Sequence, residues 1–573
     1  MRQSIPTIIA KFVAEFLLIN YLAFLAIKNL ASVMIQGNTI NSPNIPGVMY
    51  INQLEDFRST NFFQYYYQVF FLGNWRSSAN TGQPINAYIQ NHMLITVISY
   101  LLVLLLSFLL ATAIYYSIQQ KHPDLLSKFR GNWVLYVLVF LLPLVLIGLI
   151  QDPFIWLSDG SMTFQEAIQS SPFYIFLLGS TLISTAKVVS EMTMIPSHTK
   201  SYEDMDLDFP TKEAEPVDVT RTQPTSFIYT PLVALKSSAI FIFDVIFITT
   251  TISNLSGLTR LFRVSIRTAD IFVLPPLVLY ISLLILIPNF VLDFIINQLE
   301  EPKYSIVTFS HSNTESREYA KYIFYGFIGM SFLTLVYGIF VGFSSANGSL
   351  FLFDPNFVNF TTGNSGVLVD GHLLGTDFLG RDIFSRLFFS FSFFFLPIVL
   401  TILIRPLIVI IVHKFSVIKG IQVGSILTDI SDTFPRTLML ILLGVTINSI
   451  NSDLLRGPIF IISTSLLFWS WPAKYFERTQ LAQQPNTSII DKYKPLIPLV
   501  SVSIVLEYIL FGYFGFIPQT SLIGPNISWG RLIQETFSNF PSKYLLKLTL
   551  LTLIMFGSIA GMMRHAHNTI TKS

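Results

Sequence analysis

One short run gathers the side chains of this sequence best suited to directed polar contact: Leu374-Gly375-Thr376-Asp377-Phe378-Leu379-Gly380-Arg381-Asp382-Ile383-Phe384-Ser385-Arg386. Gly375 and Gly380 permit tight turns, and Asp382 is placed to cap a helix entering at Ile383. Arg381 and Arg386 are placed to pair with Asp377 and Asp382, although exposed pairs of this kind contribute only about 0–1 kcal/mol. A long apolar segment begins at Leu387. The run therefore reads first as a brace at the head of that segment, and only second as a ligand contact.

Other chemistry is excluded residue by residue. The chain has no Cys, which removes disulfides, thiolate metal sites and Cys nucleophiles. It has no Gly-Lys dipeptide, hence no phosphate-binding Walker loop, and no His-Glu-x-x-His helix. His565 and His567 stand two apart, poor ligand spacing on a helix, and read as part of a solvated tail. No catalytic residue and no metal site is expected.

The elements that must carry the run are membrane helices. Of 573 residues, 52% are hydrophobic and 12% charged, against about 25% charged in soluble domains. The net charge of +2 points to no nucleic-acid partner. Apolar runs of bilayer-crossing length, about 20 residues, recur throughout. The expected fold is an all-α polytopic membrane protein with about twelve spans: 6–27, 93–118, 133–151, 172–190, 232–252 and 274–297, then 321–343, 387–412, 434–450, 459–473, 497–517 and 546–562. Long polar insertions follow the first helix of each set, at 28–92 and 344–386. The plan is two six-helix halves, 1–305 and 321–573, joined by a cytoplasmic linker over 306–320, and like halves suggest a path between them.

Lys121, Lys128, Arg130, Lys414, Lys419, Lys474, Arg478, Lys492 and Lys494 fall in loops on the side of both termini, whereas 152–171 holds Asp152, Asp159 and Glu166 without Lys or Arg. The positive-inside rule then puts both termini in the cytoplasm and both long insertions outside. Arg260, Arg263 and Arg267 run against that trend. Glu15, Asp244, Asp293, Arg405 and Glu507 fall within or near spans, where a charge costs about 2.5–3.5 kcal/mol on insertion scales. Arg405 and Asp293 read as snorkelling from helix ends. Asp244 and Glu507, in the fifth helix of each half, read as inter-helix hydrogen-bonding groups or as a pair lining a path. Glu507→Ala is expected to lower transport more than membrane abundance.

Gly375-Thr376-Asp377-x-x-Gly380-Arg381-Asp382-x-x-Ser385-Arg386 resembles the signature before the second helix of the C-type permease subunit in dipeptide, oligopeptide and nickel ABC importers. Trp471-Pro472, Tyr475, Arg478, Glu507 and Ser528-Trp529-Gly530 resemble the same subunit further on. Asn254 to Phe262, with Gly257, Leu258 and Arg260, then Asp270, Asp293 and Glu301-Pro302-Lys303-Tyr304, is similar to the B-type partner subunit. The resemblance implies both permease subunits fused in one polypeptide of the plasma membrane. It implies import, most commonly of peptides, by alternating access. ATP would be hydrolysed on two separate ABC ATPase subunits, and an extracellular substrate-binding protein or lipoprotein would deliver cargo. Beyond membrane lipids this chain would bind no cofactor of its own.

The ATPase-facing loops depart from that family. Glu191 to Thr230 holds Glu203, Asp204, Asp206, Asp208, Glu213, Glu215 and Asp218 among four prolines, which disfavours a continuous coupling helix. Gln483-Gln484-Pro485-Asn486 stands where the second coupling motif is expected, and Thr250 where the B-type family has Glu. Glu477, Arg478 and Thr479, leading into the helix-forming 478–484, are the remaining coupling candidates. The alternatives to a working importer are an uncoupled receptor-like or structural membrane protein, and an ion-coupled secondary transporter.

Overall fold

The computed structural model describes residues 5–37, 47–121, 171–194, 224–252, 257–299, 319–340, 353–416, 436–448, 453–473, 493–513, 528–532 and 545–572, less 74–75, 79–81, 83, 268–269, 356, 370, 471 and 495. The protein is all-α, with no β-strand among the described residues. Among the described residues six helices are long and apolar enough to cross a bilayer: Ile8–Ser32, Ile85–Gln119, Ile228–Thr250, Leu274–Gln298, Tyr319–Ile339 and Ile383–Val412. The first shows why. Val13, Leu17, Tyr21 and Leu25 form an exposed stripe at four-residue spacing, while Ile19, Ala23 and Ile27 are buried. A helix apolar on both faces suits lipid on one side and protein on the other.

The expected count of twelve is not reached among the described residues. The expected span 133–151 lies outside them. Those at 434–450 and 459–473 are helices of only 13 and 15 residues, α12 (Arg436–Asn448) and α13 (Asp453–Leu467). At 1.5 Å per residue these described stretches are about 20–22 Å long. Helix α14 (Leu496–Tyr513) is apolar but has 18 residues. Helices α5 (Ser171–Met194) and α15 (Leu545–Lys572) lie where spans are expected without being among the six.

The remaining elements are α1 (Ile5–Gly37), α2 (Gly47–Ser59), α3 (Phe62–Phe70), α4 (Ile85–Lys121), α6 (Pro224–Ile252), α7 (Leu258–Arg267), α8 (Leu274–Gln298), α9 (Tyr319–Phe340), α10 (Ile383–Ser390) and α11 (Ser392–Ser416). Helix α6 starts eight residues ahead of its expected span and carries Pro231 in its interior. Four helix pairs recur in the two parts, whereas α5 packed on α6 and α9 packed on α11 have no comparable pair in the other part among the described residues. In the N-terminal part α1 packs on α8, α4 on α5 and α6, and α6 on α8. In the C-terminal part α9 packs on α15, α11 on α13 and α14, and α14 on α15. Both α1 and α6 also touch α12, which ties the parts together.

Candidate functional site

The run that opens the sequence reading folds into a compact loop around one carboxylate. Asp377 Oδ1 accepts from the backbone N–H of Leu379 (3.0 Å) and Arg381 (2.9 Å), while Oδ2 accepts from Arg381 Nε (2.7 Å) and Arg386 Nη1 (2.8 Å). Asp377, Arg386, Thr376, Asp382 and Ser385 are all buried. The expected exposed pairs are therefore buried ones, and both arginines go to Asp377. Asp382 is engaged elsewhere. Its side chain caps α10 by accepting from Ser385 N (2.6 Å), and its other oxygen meets His372 Nδ1 at 2.8 Å.

The hydroxyls close the loop. Ser385 Oγ accepts from Phe353 N (2.8 Å), while Thr376 Oγ1 accepts from Ser365 N (2.9 Å) and donates to the Thr362 carbonyl. Gly380 has φ +74°, and a Cβ there would lie 1.7 Å from the Asn359 carbonyl oxygen. Only glycine fits that backbone contact. The signature is spent on its own architecture: it rigidifies residues 353–386 and anchors them to the start of α10. His372, the Asp382 partner, escaped sequence reasoning because its ten-residue separation follows no local pattern.

The N-terminal signature packs against α4. Leu258 N donates to Thr96 Oγ1 (2.9 Å), and a Cβ on Gly257 would lie 2.7 Å from that oxygen. Thr250, standing where a Glu was expected, shares a 2.6 Å hydroxyl contact with Thr259. Asp270 is fully buried and accepts from Ser78 Oγ at 2.5 Å. Arg260 is half-buried. Arg76 joins the insertion to this end through Phe272, its guanidinium 4.8 Å from the ring centre. The C-terminal counterpart is the short turn at 528–532. There Trp529 is fully buried, edge-on to Phe327, Phe391 and Phe394 with centroids 5.1–5.6 Å apart.

Two ionisable pairs within spans join different helices. Arg405 is fully buried and forks onto Glu507, Nη1 to Oε1 and Nη2 to Oε2, both 2.8 Å. Ser503 joins them: it accepts from Arg405 and donates to Glu507 Oε1 (2.8 Å). Arg405 therefore does not snorkel. Its carboxylate partner lies inside the protein, which removes the need to reach water. Next to it Pro406 has no N–H for the Ile402 carbonyl, and Tyr493 OH donates to that carbonyl instead. Tyr493 and Ser503 were missed, although Pro406 signals an orphaned carbonyl. Asp293 likewise pairs, with Lys236 of α6. Asp244 is half-buried. Glu15 is buried 3.9 Å from Lys11, one turn back.

Burial holds the Tyr66 phenol well above its ordinary range, so it stays a neutral donor, here to the Pro275 carbonyl (3.2 Å). His565 belongs to helix α15 and packs on the Phe324 ring at 5.0 Å, which corrects the solvated-tail expectation. Glu477, Arg478 and Thr479 lie outside the described residues. No group of three His, Asp or Glu side chains that could hold a metal occurs among the described residues. No protein-family profile matches the chain, and no characterised protein matches it in sequence.

Proposed function

We propose that the chain is the membrane-spanning permease of an ABC importer, with about twelve spans in two six-helix halves, 1–305 and 321–573. The observation that carries this is a partial repeat in packing: four helix pairs recur in both parts of the chain. Two similar bundles facing one another provide the two-state rocking path that alternating access needs. The segment after the fifth helix adds support, because it seats against the second helix in both parts, through Thr96 in one and through Phe391 and Phe394 in the other.

In this reading the protein sits in the plasma membrane with its termini in the cytoplasm. The Asp377 loop faces outward and receives a substrate-binding protein or lipoprotein. Peptides pass between the halves, and two ATPase subunits drive closure from the cytoplasmic side through 474–492. Asp244 and Glu507 then hold helix five of each half rather than contact cargo.

Purification of the chain from its native membranes tests the proposal. ATPase subunits should co-purify, and their hydrolysis should rise when the chain and a peptide-loaded binding protein are reconstituted together. Absence of any associated ATPase, with uptake driven instead by a proton gradient, would sink the reading.

A further inference from the structure

The short helix α3 (Phe62–Phe70) is apolar on two opposite faces. Asn61 caps it by accepting from Gln64 N (2.8 Å), and Phe62, Tyr65 and Val69 bury one face in the core. On the other side Phe63, Tyr67 and Phe71, four residues apart, are 73%, 54% and 79% exposed. Rings of that size do not line up toward water without a cover.

The contacts of α3 give its depth relative to the spans. Asn20 of α1 donates to Ser282 of α8 (2.9 Å), so those two residues share a level. Eight residues further along each helix toward one side, about 12 Å at 1.5 Å per residue, stand Lys28 and Leu274, the latter the first residue of its span. Lys28 Nζ donates to the Thr60 carbonyl (3.0 Å), just before α3, and Tyr66 within α3 donates to the carbonyl of Pro275. The Phe62 ring meets Tyr21 at 5.6 Å and Phe24 at 5.7 Å, one to two turns inward of Lys28. Helix α3 is thus level with the end of two membrane helices. Phe62 of α3 meets Tyr21, one of the exposed stripe Val13, Leu17 and Tyr21 on α1.

We propose that α3 is an interfacial anchor, its Phe63–Tyr67–Phe71 face covered by lipid at the boundary between headgroups and acyl chains. Aromatic side chains are enriched at that depth, and a short helix lying in the interface buries its apolar face there. The flanking Gln64 and Gln68 meet the headgroup side. This inference needs only the membrane helices and stands apart from the importer reading.

The absence of cysteine makes the test direct. Phe63→Cys, Tyr67→Cys and Phe71→Cys, with Glu55→Cys at an exposed position of α2 as the control, are labelled with an environment-sensitive fluorophore. The full chain is reconstituted into phosphatidylcholine–phosphatidylglycerol vesicles. The three face positions should show blue-shifted emission and strong quenching by a nitroxide carried near the headgroup end of the lipid tail, and Glu55 neither. Red-shifted, water-quenched labels at all three positions would overturn the proposal. So would labels shielded from both water and lipid quencher, an outcome that assigns the face to a protein.

Discussion

Arg405 of α11 and Glu507 of α14 meet as parallel forks inside the protein, two 2.8 Å hydrogen bonds sharing one carboxylate with Ser503. Arg405 is fully buried and Glu507 almost so, and the pair is worth most for what happens when half of it is removed. Leaving one buried charge unpaired costs about 3–5 kcal/mol, whereas replacing both by apolar groups is often neutral. Glu507→Ala should therefore lower thermal stability in detergent and membrane abundance together with transport. Arg405→Met combined with Glu507→Leu should recover most of the stability. Normal abundance of Glu507→Ala with lost transport would restore the expectation from sequence, a role on the path.

Asp377 carries the second prediction. Its carboxylate receives two backbone and two guanidinium donors. Asp377→Ala takes the shared carboxylate away from both buried Arg386 and Arg381, and the loss of a buried pair's partner costs about 3–5 kcal/mol. Arg381→Ala should cost less, because its side chain is more open than Arg386 and Arg386 remains in place. Limited proteolysis within 353–386 reads the difference. Equal protection of wild type and Asp377→Ala would refute the loop's dependence on this residue.

Glycine gives a third contrast with its own control. Gly380 and Gly73 both have positive φ, +74° and +64°, yet a Cβ at Gly73 meets nothing within 4 Å. Gly73→Ala should cost only the left-handed strain of about 1–2 kcal/mol. Gly380→Ala adds the collision with the Asn359 carbonyl, and overpacking brings about 1–3 kcal/mol more. Melting of both variants in detergent checks the order. If Gly73→Ala is the more damaging, the close approach at Asn359 is not what selects glycine.

Much of this was legible in the sequence because it is local. Membrane-length apolar runs, Asp382 at a helix start and the turn glycines are all local features, and the structure shows them in place. Long-range pairing was not legible: Arg405 and Glu507 are about a hundred residues apart, and nothing in α11 alone distinguishes a snorkelling arginine from a buried one. Which aspartate each arginine of the loop meets was open in the sequence for a related reason. Charge spacing allows either aspartate, and Asp382 is withdrawn only because His372 and the α10 N-terminus compete for it. The expected span at 459–473 runs past the end of α13 because apolar Phe468 and Trp469, where the helix stops, read by hydropathy like the helix itself.

The fourth prediction concerns the segment after α14. A Cβ on Gly512 would lie 2.0 Å from Ser528 Oγ and 2.9 Å from its Cβ, so the turn carrying Trp529 rests directly on this glycine. Gly512→Ala should push that turn off α14 and loosen Trp529 from its three rings, at about 1–3 kcal/mol for the overpacking. Ser528→Gly alone removes the hydroxyl that accepts from Arg531 N (3.2 Å), and a cap replaced by glycine loses only a few tenths of a kcal/mol. The double variant Gly512→Ala with Ser528→Gly should therefore melt close to wild type, far above Gly512→Ala. If the two losses instead add, Gly512 is required for the backbone of α14 itself and not as the seat for Ser528.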